Sequence, residues 1–117
     1  MSGSGHAAVH VSSYHSRPGH RVLVIDDLAD LRGPVSGGIE LPIWLFWHPN
    51  RSFSLDEPGV LRWVYQIVLR EASRPEDLAS YLNGEALLAM WRDLQLPAGI
   101  RQAWEERHPA LRTLVDA

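Results

Sequence analysis

Cysteine is absent from the 117 residues, and so is lysine. The first absence excludes disulfides, thiolate zinc sites and a cysteine nucleophile. The second excludes Schiff-base chemistry and any phosphate site built on lysine, and leaves eleven arginines as the whole basic complement. No apolar run reaches the ~20 residues of a membrane-spanning helix. The longest, GIELPIWLFW at residues 38–47, is about half that length and lies mid-chain. The opening MSGSG lacks the apolar centre of a signal peptide and reads as linker-like, so residues 1–6 are expected to be disordered and the protein cytoplasmic. A strong basic field is missing too. Residues 1–52 carry four arginines against four acids, residues 53–117 seven against ten, and the net charge is −3. Such a surface does not attract duplex nucleic acid non-specifically.

The composition, 45% hydrophobic and 21% charged, is that of one globular domain with a single core. Residues 7–47 are strand-rich. AAVHVSSY (7–14) alternates loosely, SRPGH (16–20) is a turn, and RVLVID (21–26) is a β-branched strand. The following DLADLRGPVSGG reads as a loop with one helical turn near residues 28–31. Residues 39–47 then predict a central strand with Ile39, Leu41, Ile43, Leu45 and Trp47 on one face and Glu40, Pro42, Trp44 and Phe46 on the other. Pro42 cannot donate a ladder hydrogen bond, which places that strand at an edge or a bulge.

Residues 54–117 are helical. Ser54 and Glu57 stand at capping-box spacing before Pro58, predicting a helix over 56–72 with Val60, Leu61, Val64, Ile67 and Val68 as its buried stripe. Ser73 and Glu76 repeat the spacing around Pro75 for a shorter helix through Leu82. Asn83-Gly84 reads as its stop. Residues 85–93 carry Leu87, Leu88 and Trp91 at core spacing, and a helix from Pro97 carries Ile100 and Trp104 until Pro109. The expected fold is therefore α+β, with a small, mostly antiparallel N-terminal sheet packed on a C-terminal group of three to five helices.

No motif declares a reaction. RVLVIDD resembles the first strand and acidic pair of response-regulator receiver domains, but the likeness ends there. GPVSGG stands where a helix should begin, VYQIVLRE where the phosphoacceptor aspartate should be, and the lysine is missing. Asp26, Asp27 and Asp30 are then loop-capping acids rather than a divalent-ion site. His6, His10, His15 and His20 lack metal-ligand spacing. No nucleophile elbow or phosphate-cradling loop appears, so neither catalysis nor a cofactor is expected. The three short helices after residue 75 are loosely like a helix-turn-helix domain, with Arg101, Gln102 and Arg107 as the candidates for reading DNA. Glu105 and Glu106, interleaved with them, would face phosphate.

Five tryptophans are more than a core of this size needs. Aromatic and arginine side chains are those that anchor protein interfaces. The strand around Trp44, Phe46 and Trp47, with Arg32 in the loop at residues 32–38, is therefore the expected contact surface for another protein, with a homodimer as one form of such contact. LADLRGPVSGGIELP, the LFW after it, RPEDLASYLNG and LPAGIRQAWEERHPALR resemble a small actinobacterial family often encoded beside an abortive-infection-type nucleotidyltransferase toxin. The resemblance spans residues 28–112. It implies a partner or antitoxin-like role beside a nucleotidyltransferase, and no catalytic residue.

Overall fold

The computed structural model describes residues 8–113. Ala7, the linker-like residues 1–6 with His6, and the tail after Thr113 lie outside them. β1 (Val9–Arg17) and β2 (His20–Ile25) form an antiparallel hairpin in which Val9 faces Ile25 and Val11 faces Leu23. The Pro18-Gly19 turn closes it, with Gly19 at φ 81°, a backbone angle open to glycine at little cost. β1 runs three residues past the strand expected at 7–14, with register shifts between Val11 and His15 and between His15 and Arg17. Val22, Leu23, Val24 and Ile25 are all buried. That uninterrupted run marks β2 as covered on both faces.

After β2, Asp27 accepts a hydrogen bond from the Ala29 amide at 2.9 Å and caps a single 3-10 turn over Leu28–Asp30, where the sequence predicts one. The long central strand does not form. β3 covers only Gly38–Glu40 and pairs antiparallel with β4 (Ser52–Ser54), a second two-stranded sheet. From Pro42 the chain coils. The Leu45 and Phe46 amides both donate to the Pro42 carbonyl, at 3.0 and 3.1 Å. Proline sets its own φ and offers no ladder donor, so residues 42–46 satisfy their backbone locally. The two-face alternation expected of residues 39–47 is lost with it. Leu41 and Leu45 enter the core while Ile43 and Trp47 turn outward.

Four longer helices and one short one follow: α1 (Pro58–Glu71), α2 (Pro75–Tyr81), α3 (Gly84–Met90), α4 (Ala98–Arg107) and α5 (Ala110–Thr113), with a 3-10 turn at Trp91–Asp93. α1 buries Val64, Tyr65, Ile67, Val68 and Leu69, each apolar side chain contributing about 1.5–3 kcal/mol against the entropy of ordering it. Three helix signals differ from expectation. The Ser54–Glu57 capping box does not form: Ser54 ends β4, and α1 starts at Pro58 rather than 56, after Glu57, with no side-chain cap. α2 begins one residue late. Asp77, not Glu76, reaches back, its Oδ2 accepting from the Ser73 and Arg74 amides at 3.2 Å each. Asn83 does not stop a helix but starts α3, its Oδ1 accepting from the Ala86 amide at 3.0 Å. The fold is α+β as expected, its sheet divided into two hairpin-like pairs. Among the described residues no helix is long and apolar enough to cross a membrane.

All three tyrosines are held protonated beyond their ordinary range. The Tyr14 hydroxyl donates to Glu106 and sits beside its charge; burial raises Tyr65 against the Asn83 amide that its oxygen accepts; burial raises Tyr81, with Asp77 adding to it. A raised folded-state pKa contributes stability that is complete below about pH 10 and is lost as pH climbs through the folded values. Tyrosinate absorbance of the native protein should therefore appear only above pH 10 and move down to it in urea, with the melting temperature falling over the same interval. A native tyrosine ionising at the ordinary pH would contradict this.

Candidate protein-docking site

The turn that ends the expected strand gathers aromatic side chains at the surface. Phe46 meets Phe53 of β4 and Trp63 of α1 edge-on, at ring-centroid distances of 5.8 and 5.3 Å, and His48 stacks on it at 5.5 Å. Phe53 and Trp63 close the cluster at 5.1 Å. Edge-to-face contacts of this kind fix ring orientation as well as burying area. On this floor stand Ile43, Trp44, Trp47 and Trp63, which remain 44, 56, 83 and 38% exposed. With Leu45, Ile67, Arg70 and Glu71 they line a groove of about 290 Å³. One exposed tryptophan is ordinary; three beside an exposed isoleucine form a patch of the kind that marks an interaction site.

Trp44 is held rather than loose. Its Nε1 donates to Asp77 Oδ1 at 2.9 Å, and the Arg74 guanidinium lies 4.5 Å over the ring centroid. Asp77 is 1% exposed, and each of its oxygens is used. Oδ1 takes Trp44 and the Arg74 side chain, and Oδ2 takes the Ser73 and Arg74 amides just before α2. A helix start thus fixes an exposed indole in one rotamer. An aromatic group ordered before binding loses little entropy on contact. Trp47 makes no hydrogen bond or ring contact among the described residues.

Of the contact residues expected from sequence, Trp44, Phe46 and Trp47 meet here. Arg32 does not join them. Its Nε donates to the Ala29 carbonyl at 3.3 Å, and it lines a different, shallow cleft of about 550 Å³ between the Leu28–Asp30 turn and α3. Sequence reasoning missed Ile43, Trp63, Arg70, Arg74 and Asp77. Trp63 had a signal: it lies on the flank of the α1 stripe, about 100° from its centre at 100° per residue.

The residues proposed to read DNA are directed elsewhere. At about 100° per residue Arg101, Gln102 and Arg107 point to three sides of α4. Arg101 donates to the Trp91 and Leu94 carbonyls, lies 5.2 Å over Trp91 and pairs with Glu105 at 3.9 Å. Arg107 binds Asp26 at 2.9 Å. These contacts tie the Trp91–Asp93 turn and the end of β2 to α4; Gln102 and Arg107 are exposed, and Arg107 is held by Asp26. The acids at Asp26 and Asp27 are occupied by Arg107 and the Ala29 amide. Among the described residues no three histidines or acids converge on a point that could hold a metal ion. No known protein family, curated protein or solved structure matches the chain.

Proposed function

We propose that the chain is a non-enzymatic interaction module that docks a partner protein on the groove formed by Ile43, Trp44, Trp47 and Trp63. The observation that carries this is Trp47, 83% exposed beside a second tryptophan that a buried carboxylate and an arginine hold in place. Water-exposed indoles at that density are costly to keep unless a partner covers them, and tryptophan with arginine is the composition of binding hot spots. The resemblance to a family encoded beside nucleotidyltransferase toxins makes a nucleotidyltransferase the first partner to test, in an antitoxin-like or accessory role in the cytoplasm.

Trp47→Ala separates this role from folding. Trp47 contributes little to the core, so the unfolding free energy should change by no more than a neutral surface substitution does, about 0.5 kcal/mol. Binding to a co-expressed nucleotidyltransferase, or to whichever host protein co-purifies in stoichiometric amount, should weaken by about 30-fold or more, some 2 kcal/mol. A complex that survives Trp47→Ala at full affinity would remove the groove from the interface. Trp44→Ala is the less clean probe, because it also strips a donor from buried Asp77.

A further inference from the structure

Resting on the docking role just proposed, the charge of the groove specifies its partner. Its two charged lining residues are Arg70 and Glu71. Glu71 is already matched, its Oε2 lying 3.1 Å from Arg17 Nη1. Arg74, over Trp44, is matched by buried Asp77. Arg70, two helical turns after Trp63 and therefore on the same face of α1, has no ion pair or hydrogen bond among the described residues. The groove thus presents an apolar, aromatic floor with one uncompensated guanidinium at its side.

We infer that the groove takes an acidic apolar segment of a partner protein, in which an aspartate or glutamate next to bulky apolar residues meets Arg70 while those residues seat between Trp44, Trp47 and Trp63. A guanidinium recognises a carboxylate through paired, charge-assisted hydrogen bonds, and beside an apolar floor that pairing is strengthened by exclusion of water. A nucleic-acid strand fits less well. Its phosphates need a track of cations, whereas here a single unmatched arginine adjoins Ile43 and Leu45. A second copy fits less well also, since in a twofold contact of this face with itself the one acid available to Arg70, Glu71, is already matched by Arg17.

The test uses the full chain, labelled with 15N at the indoles, and short synthetic peptides of Leu and Phe alternating with Glu, or with Gln in place of Glu. Oligothymidine serves as the nucleic-acid probe. The Glu peptide should shift the Nε1–H signals of Trp44, Trp47 and Trp63 and leave those of buried Trp91 and Trp104 in place. It should bind about tenfold more tightly than the Gln peptide, the preference expected of one charge-assisted pair. Arg70→Gln, on a half-buried surface position with an unchanged melting temperature, should abolish that preference while leaving the Gln peptide's affinity as it was. Equal binding of the two peptides, or a preference that survives Arg70→Gln, overturns the assignment to an acidic partner but leaves the docking face standing, because the indoles still respond. No response to either peptide, in a protein whose host complex is still lost with Trp47→Ala, also overturns it and spares the docking role. Indole shifts caused by oligothymidine more than by peptide, or by raising the protein concentration alone, overturn it in favour of a nucleic-acid strand or a second copy.

Discussion

Asp77→Ala is expected to lower the free energy of unfolding by about 3 kcal/mol and to free the Trp44 ring, although Asp77 lies in no catalytic or metal site. The carboxylate is buried and serves four donors: the Ser73 and Arg74 amides, Trp44 Nε1 and the Arg74 guanidinium. Loss of the helix-start contacts alone costs about 1 kcal/mol. The rest comes from Trp44 and Arg74, which lose a charged acceptor in a place where water replaces it poorly. For a chain of this size, whose total stability is of the order of 6–17 kcal/mol, that is a large share. Asp77→Asn should recover little. An amide offers one acceptor oxygen where the carboxylate offers two, and turns its own N–H groups toward either the Ser73 and Arg74 amides or the Trp44 indole. Urea unfolding measures the loss, and the Trp44 Nε1–H signal should move toward its solvent-exposed position in both variants. Partner affinity should fall with it, since the ordering of Trp44 is then supplied on binding instead of beforehand. An Asp77→Asn protein as stable as the original would show that the carboxylate is not the organising acceptor.

Gly33→Ala is expected to cost about 2–4 kcal/mol, an unusual penalty for adding one methyl group to a loop. A Cβ at Gly33 would lie 2.6 Å from the Tyr81 carbonyl carbon and 2.8 Å from both the Leu82 nitrogen and the Ser80 oxygen. All three are backbone atoms at the end of α2, so no side chain can swing away to make room. The same approach is drawn together by hydrogen bonds from the Gly33 amide to Leu82 O at 2.7 Å, from the Arg32 amide to Ala79 O at 3.2 Å and from the Gly84 amide to Leu31 O at 3.0 Å. Relief of the clash has to lengthen these bonds or shift α2, and α2 carries Asp77. Gly59→Ala is the control. Nothing lies within 4 Å of a Cβ there, and in the first turn of α1 alanine should be neutral or slightly stabilising. Similar losses from the two substitutions would mean that the expected cost at Gly33 reflects glycine content and not the close approach.

Gly33 shows where reading the sequence stops. As a letter it belongs with Pro34, Gly37 and Gly38, and the group reads as a loop. That is correct for the chain path and silent about the backbone of α2 lying against it. The second capping box has the same character. Glu76 and Asp77 are adjacent acids before an apolar residue, and the spacing rule counted from Ser73 points to Glu76. The structure selects Asp77, two residues after Pro75, because the other oxygen of that carboxylate receives an indole from a segment more than thirty residues earlier.

The helices and the β1–β2 hairpin were legible because their signals are local. A 3.6-residue stripe such as Val64, Ile67 and Val68, a proline in a first turn and a Pro-Gly pair each constrain neighbours in the chain whatever lies beyond them. The reading of residues 39–47 as a strand rested on alternation alone, and alternation over so few apolar residues does not distinguish a strand from a turn whose proline has removed one ladder donor. With that turn, Trp47 leaves the core face and Phe46 meets Trp63. The sequence by itself determined the fold class, the helix positions and the supply of tryptophan and arginine without cysteine or lysine. Only the tertiary structure decided which tryptophans stay in water, that Arg101 and Arg107 are bound within the fold, and that Arg70 is left unmatched beside the groove. Those outcomes depend on contacts between residues far apart in the chain, and no local propensity encodes them.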